Sequence, residues 1–160
     1  MRGSNKGTHS EHQLQELFVS SLYNEETFYQ QFINDLQIAT KEVIIESPFI
    51  TVKRVKTLLS IFALLKTKNI SIFIITRDPR EHDKIMTIQS ELGIRMFENM
   101  GIQVLIESGG HHRKLAIIDR EILWEGSLNI LSQINSLEIM RRIYSRKLSQ
   151  EMFNFLKFTF

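Results

Sequence analysis

His112, Lys114 and Asp119 bring an imidazole, an ammonium and a carboxylate into one short stretch, and Gly126-Ser127-Leu128-Asn129 follows after six intervening residues. In an extended chain, residues two apart point to the same side, so this spacing sets the His112 imidazole beside the Lys114 ammonium. Asp119 falls on the opposite face by the same alternation. A histidine able to act as nucleophile or proton shuttle, beside a fixed positive charge, is equipment for chemistry at phosphate.

The elements around this stretch are those of an α/β domain. Leu115-Ala116-Ile117-Ile118 is apolar and partly β-branched, which predicts a strand over about 112–118 buried on both faces. Glu42-Val43-Ile44-Ile45-Glu46, ended by Ser47-Pro48, reads as a second buried strand, and Ile70 to Thr76 as the strongest strand in the chain. Further strands are expected at 102–106, 122–125 and 137–143. Helical spacing of apolar residues predicts helices over 11–22, over about 25–38 with Asn24 as N-cap, and over 55–65. Two more are expected from Glu81 to Met100, with a break at Gly93 and Gly101 at C′, and from Arg146 to the end. Strands alternate with helices first and then follow one another. That order predicts a mixed β-sheet with helices on both faces.

The bulk properties set the limits. A chain of 160 residues with 42% hydrophobic and 24% charged residues is the size and composition of one globular domain. We expect residues 11–160 to form it, with 1–10 a disordered or tag-like N-terminus; His9 within that segment and His12 beside it read as tag or surface residues without function. The net charge of +2 permits nucleic-acid binding without announcing it. The absence of cysteine removes disulfides, thiolate metal sites and cysteine nucleophiles, and suits a cytoplasmic setting. No apolar run approaches the roughly 18 residues of a membrane helix, and the polar start lacks the core of a signal peptide. The apolar ending Leu156-Lys157-Phe158-Thr159-Phe160 either docks on the domain or marks a piece of a longer protein.

HxKxxxxD followed by GSxN, here His112, Lys114, Asp119, Gly126, Ser127 and Asn129, resembles the HKD signature of the phospholipase D superfamily. The first three residue types alone would occur by chance in roughly one chain per hundred, and the added three lower that by about ten thousand. Most members carry two such motifs, and this chain has one. Single-motif members that it resembles are nucleases acting as homodimers: small bacterial endonucleases, catalytic domains of metal-independent restriction endonucleases, and a cardiolipin-hydrolase-like branch. The chain departs from the pattern at Arg120, where glycine is frequent, and matches the acidic residue beyond GSxN only through Glu138.

The resemblance implies a phospholipase D-like sandwich and a metal-independent phosphodiesterase, with no cofactor and no metal. It also implies roles. His112 would attack phosphorus to give a phosphohistidine, and the partner's His112 would protonate the leaving oxygen. Lys114, Ser127 and Asn129 would hold the phosphate oxygens. Asp119 is either directly catalytic or a turn-holding residue, and Glu138 either orients an imidazole or is a solvated strand residue. His111 reads as a surface or DNA-contacting residue. Asp78, Glu81, His82 and Asp83 read as dipole-complementing charges at a helix start rather than as metal ligands. Arg77, Arg80, Lys84, Arg113, Arg141, Arg142, Arg146 and Lys147 are candidate phosphate contacts or scattered solvated charge. The expected function is hydrolysis of nucleic acid, DNA rather than RNA, at a homodimer site. The alternatives are a cardiolipin-type phospholipid hydrolase, and a non-catalytic dimerisation or DNA-binding module of a larger restriction or helicase-like protein.

Overall fold

The computed structural model describes residues 19–132 and 135–158. Seven strands form one sheet: β1 (Ser20–Asn24), β2 (Glu42–Glu46), β3 (Ser71–Arg77), β4 (Gln103–Glu107), β5 (Leu115–Ile118), β6 (Ile122–Gly126) and β7 (Ile139–Tyr144). Their order across the sheet is β1-β7-β6-β5-β2-β3-β4. The helices are α1 (Phe28–Gln37), α2 (Val52–Thr67), α3 (Lys84–Asn99) and α4 (Arg146–Phe155). The sheet is mixed, as expected. β2, β3 and β4 run parallel, linked by the crossover helices α2 and α3, while β5, β6, β7 and β1 continue antiparallel.

Both faces are covered, unequally. α1, α2 and α3 bury one face through Phe28, Phe32, Val55, Leu58, Phe62, Leu65 and Phe97, with Trp124 of β6 at the centre. On the other face α4 alone covers Ile44, Ile75, Ile117, Leu123 and Ile143, chiefly with Phe153. Each large apolar side chain buried in this way contributes roughly 1.5–3 kcal/mol. The larger core encloses one polar knot. Asp35 of α1 is 1% exposed and accepts from Trp124 Nε1 at 2.8 Å and from Arg142 at 2.7 and 2.8 Å.

Several local expectations change. In the interval read as a helix over 11–22, the residues up to 18 lie outside the described ones, and Ser20–Asn24 is a strand paired with β7. Leu22 is 62% exposed, so its helical spacing marked no buried face. Asn24 caps no helix. Its Oδ1 accepts from the Glu26 and Thr27 amides in a turn that precedes α1. α3 runs unbroken through Gly93, which is there for space: a Cβ would lie 2.4 Å from Ile50 Cγ2. The strand expected over 112–118 pairs only from Leu115.

The β5–β6 turn explains the arginine where relatives often carry glycine. Asp119 and Arg120 both adopt positive φ, 53° and 54°, the conformation that tight hairpin turns demand. A side chain there costs about 1 kcal/mol. Arg120 offsets this by an ion pair with Glu42 and by stacking 3.7 Å over the Phe153 ring.

The Asp35 knot should dominate stability on its side of the sheet. Asp35→Ala leaves the Arg142 guanidinium and the Trp124 indole without their acceptor, so unfolding in urea should show a loss of about 3 kcal/mol. A change below about 1 kcal/mol would mean water replaces the carboxylate there.

Candidate active site

β5 is antiparallel to β2, with Leu115 opposite Glu46. The segment entering β5 therefore lies at the carboxyl end of β2, beside the carboxyl end of β3. Loops at the carboxyl ends of parallel strands are where α/β sheets bind ligands. Residues 111–114, which include His112 and Lys114, form this segment.

The structure brings His112 and Lys114 together. Lys114 Nζ lies 2.9 Å from His112 Nδ1 and 3.4 Å from Nε2, and donates to the His112 carbonyl at 2.8 Å. The nearby ammonium, some burial and the Arg77 charge together lower the His112 pKa. Burial also lowers the Lys114 pKa, with Glu138 opposing it. The shift favours the unprotonated imidazole, the form in which a histidine can act as nucleophile. Phe49 stands edge-on to His112 at 6.2 Å, and His82 stacks on the other side of Phe49 at 4.9 Å.

GSxN reaches the pair along β6. The Gly126 amide donates to the Lys114 carbonyl at 3.3 Å, and no larger residue fits at 126, because a Cβ would meet the Ile139 carbonyl at 2.1 Å. Ser127 joins Lys114 on the wall of a groove of about 680 Å³. Its Oγ also accepts from the Ile139 amide at 3.1 Å. Asn129 is half-buried, and its Oδ1 is shielded from solvent without a hydrogen-bond partner. Glu138 Oε1 accepts from Ser136 at 2.7 Å, and the carboxylate's field reaches Lys114 rather than an imidazole of the same chain.

Asp119 is not brought to the site. It lies at the far end of β5, where its two oxygens accept from the Thr40 amide and hydroxyl and from the Lys41 and Glu42 amides at 2.8–3.0 Å. Of its two expected roles, the geometry gives it the turn-holding one.

Sequence reasoning misplaced His111, passed over Glu46, and read Asp78 and Glu81 as charges at a helix start rather than as holders of this loop. The His111 side chain is 4% exposed, not on the surface, and packs 3.4 Å from Glu46 Oε1 without hydrogen-bond geometry. Burial and the surrounding cations push its pKa down to about 4. Glu46 is fully buried and accepts from Arg113 at 2.7 and 2.8 Å. Glu81 accepts from the Gly109 and Gly110 amides at 2.6 and 3.0 Å, and Asp78 from the Ser108 hydroxyl at 3.3 Å. Both carboxyls sit below their ordinary pKa, Asp78 chiefly through Arg80 and Glu81 chiefly through the two glycine amides. Asp83 caps α3 through the Ile85 and Met86 amides at 2.9 Å. The acidic cluster thus holds loop and helix. One signal was legible: a glutamate closing an apolar β-branched run needs a cation if that strand is buried.

The basic residues sort similarly. Arg77, Arg80, Arg113, Arg142 and Arg146 are each ion-paired, with Glu81, Asp78, Glu46, Asp35 and Glu121. Arg141 instead donates to Ser20 Oγ and lines the groove with Lys114 and Ser127.

A family model described as "Cardiolipin synthase, PLD-like domain" matches residues 32–157. Among solved structures, Nuc from Salmonella typhimurium, a phospholipase D family member, is 17% identical, with TM-score 0.67 over 85% of this chain and 91% of its own. NucT from Helicobacter pylori is 19% identical, with TM-score 0.65 over 85% and 91%. Phosphatidylserine synthase from Haemophilus influenzae is 18% identical, with TM-score 0.61 over 83% of this chain but 37% of its own. At these identities the likeness is one of fold. A comparison with curated protein sequences finds no match.

Two measurements check the geometry. In Lys114→Met the His112 pKa should rise toward the ordinary histidine value, because its largest depressing charge is gone. An NMR titration in which it stays or falls would show that another group controls it. Asp119→Ala should lower stability to denaturant by about 2 kcal/mol, since four donors lose a charged acceptor. The His112 titration should be unchanged in that variant.

Proposed function

Because the chain belongs to the phospholipase D superfamily, carrying its PLD-like domain over residues 32–157, we propose that it is a metal-independent phosphodiesterase that hydrolyses nucleic acid, DNA rather than RNA, as a homodimer. The observation that carries this reading is the Lys114 ammonium 2.9 Å from a solvent-accessible His112 imidazole, whose pKa that charge lowers. A single HKD set per chain supports the dimer.

His112 attacks phosphorus, and the bond from phosphorus to the leaving oxygen breaks as the P–N bond forms. The partner subunit's His112 gives that oxygen its proton. Water then attacks the phosphohistidine, passes a proton to the same partner imidazole and breaks the P–N bond. Covalent catalysis of this kind divides one hard displacement into two easier ones. Lys114 opposes the charge that builds on the non-bridging oxygens, and the Ser127 hydroxyl and Asn129 amide donate to them. A buried Asn129 Oδ1 without a partner is consistent with an amide whose orientation is fixed by packing.

A second reading rests on the groove. Leu22, Ile139, Met152, Phe155 and Leu156 give it apolar walls that open onto Lys114 and Ser127. An apolar surface beside the site is what a phospholipid substrate of the cardiolipin type requires. Among the described residues no helix is long and apolar enough to cross a membrane, so lipid would be met from the surface.

Single-stranded DNA, duplex DNA and cardiolipin vesicles assayed in parallel in EDTA decide between the readings. The nuclease reading expects cleavage of DNA, an elution volume matching a dimer, and a loss of at least about a thousandfold in His112→Ala. Turnover of cardiolipin alone would support the second reading. Nuclease activity that appears only on adding a divalent metal would sink the metal-independent mechanism.

A further inference from the structure

Residues 111–114 lie outside the β ladder, although their alternation decides what the site presents. In an extended chain a slip of one residue exchanges the two faces. Here the odd-numbered residues, His111 and Arg113, both lie against one group, the Glu46 carboxylate at the end of β2. The even-numbered residues, His112 and Lys114, meet each other instead. Glu46 stands in register with Leu115, one residue beyond this stretch.

We propose that Glu46 is a positioning residue for His112, acting through Arg113 to fix which face of the 111–114 segment is turned to the substrate. This rests on His112 being the reacting group. A fully buried carboxylate is costly unless paired and hydrogen-bonded, so it strongly favours the one arrangement that brings it a guanidinium. Arg113 satisfies it through two donors on one oxygen, Nε at 2.8 Å and an Nη at 2.7 Å. Its other oxygen is buried without a hydrogen-bond partner, and burial raises the Glu46 pKa against the effect of Arg113, so the carboxylate depends on this one guanidinium. The guanidinium sits between His112 and Lys114 in the chain, and anchoring it on Glu46 sends both neighbours to the other side. Lysine could not copy the arrangement fully, because it lacks the fork. Glu46 touches neither the imidazole nor the phosphate, and its effect is transmitted by backbone direction alone.

The charges permit a test that a merely structural role would fail. His112 is faced by Lys114 from its own segment and by Arg77 from β3. Removing a nearby negative charge would by itself lower the His112 pKa further. Releasing Lys114 from the imidazole would raise it. In Glu46→Gln, which keeps the volume and one acceptor oxygen, a rise therefore reports that the pair has come apart.

The test uses the full chain, with folding checked by circular dichroism. Its readouts are the His112 titration, the NMR Overhauser contact between the His112 ring and the Lys114 methylenes, and turnover of bis(p-nitrophenyl) phosphate in EDTA. Glu46→Gln should raise the His112 pKa, weaken the Overhauser contact and lower kcat about tenfold or more with KM little changed. Arg113→Met should weaken the same contact and lower kcat alike, and Arg113→Lys should recover part of both. The double variant should lose no more than the worse single one, because both changes break one link. A folded Glu46→Gln protein with the wild-type titration, contact and kcat overturns the proposal, as do losses that multiply in the double variant. Should Glu46→Gln fail to fold, Arg113→Lys decides by the contact and kcat, since it keeps a cation beside the buried carboxylate while losing the fork: a partial loss of both supports the proposal, and wild-type values overturn it. A wild-type protein inert toward phosphodiesters refutes the functional reading alone, and the titration and contact still decide whether Glu46 positions His112.

Discussion

Strand pairing stops at Leu115, with one further backbone bond from Gly126 to the Lys114 carbonyl, yet the histidine and lysine that could do chemistry lie before it. Side-chain carboxylates supply what the ladder does not. Asp78 holds Ser108, Glu81 holds the amides of Gly109 and Gly110, and Glu46 holds Arg113. All three project from the carboxyl ends of β2 and β3, so the parallel half of the sheet grips the segment that enters the antiparallel half. Charge-assisted hydrogen bonds are stronger and shorter than neutral ones, which suits a loop that must be rigid without being a strand. The glycines at 109 and 110 have φ of 88° and 76°, and their backbone can turn both amides toward one carboxylate.

That arrangement shapes the electrostatics. The arginines near the site are bound to these same carboxylates, and Lys114 is left to act on whatever lies beside His112. The Lys114 charge lowers the His112 pKa, and burial lowers that of Lys114 against the pull of Glu138. Arg141 lies further along the groove that Lys114 lines.

The unequal covering of the sheet has a functional consequence as well. Three helices close one face completely, while α4 alone covers the other, and beside it Leu22, Ile139 and Phe155 remain exposed. These side chains border the groove that Lys114 and Ser127 also line, so apolar surface and one member of the His112–Lys114 pair share a wall.

Much of the fold was legible because buried strands and crossover helices leave strong periodic signals. Val43-Ile44-Ile45 and Ile72-Phe73-Ile74-Ile75 could hardly be anything but strands, and the spacing from Val55 to Leu65 fixes a helix face. Weak, exposed elements were not legible: β1 is an edge strand whose pairing with β7 supplies its only order, and its sequence carries no two-residue alternation of buried groups. The types and spacing of His112, Lys114, Ser127 and Asn129 were enough to expect phosphate chemistry, since alternation in an extended chain is a local property. What tertiary structure alone decided were the roles of the acids and of His111. Asp119 became a clasp on β2, Glu46 a buried anchor, and His111 an interior residue, because each depends on which strand lies opposite. A sequence specifies its own local geometry, but the partner of a buried charge is chosen by contacts far apart along the chain.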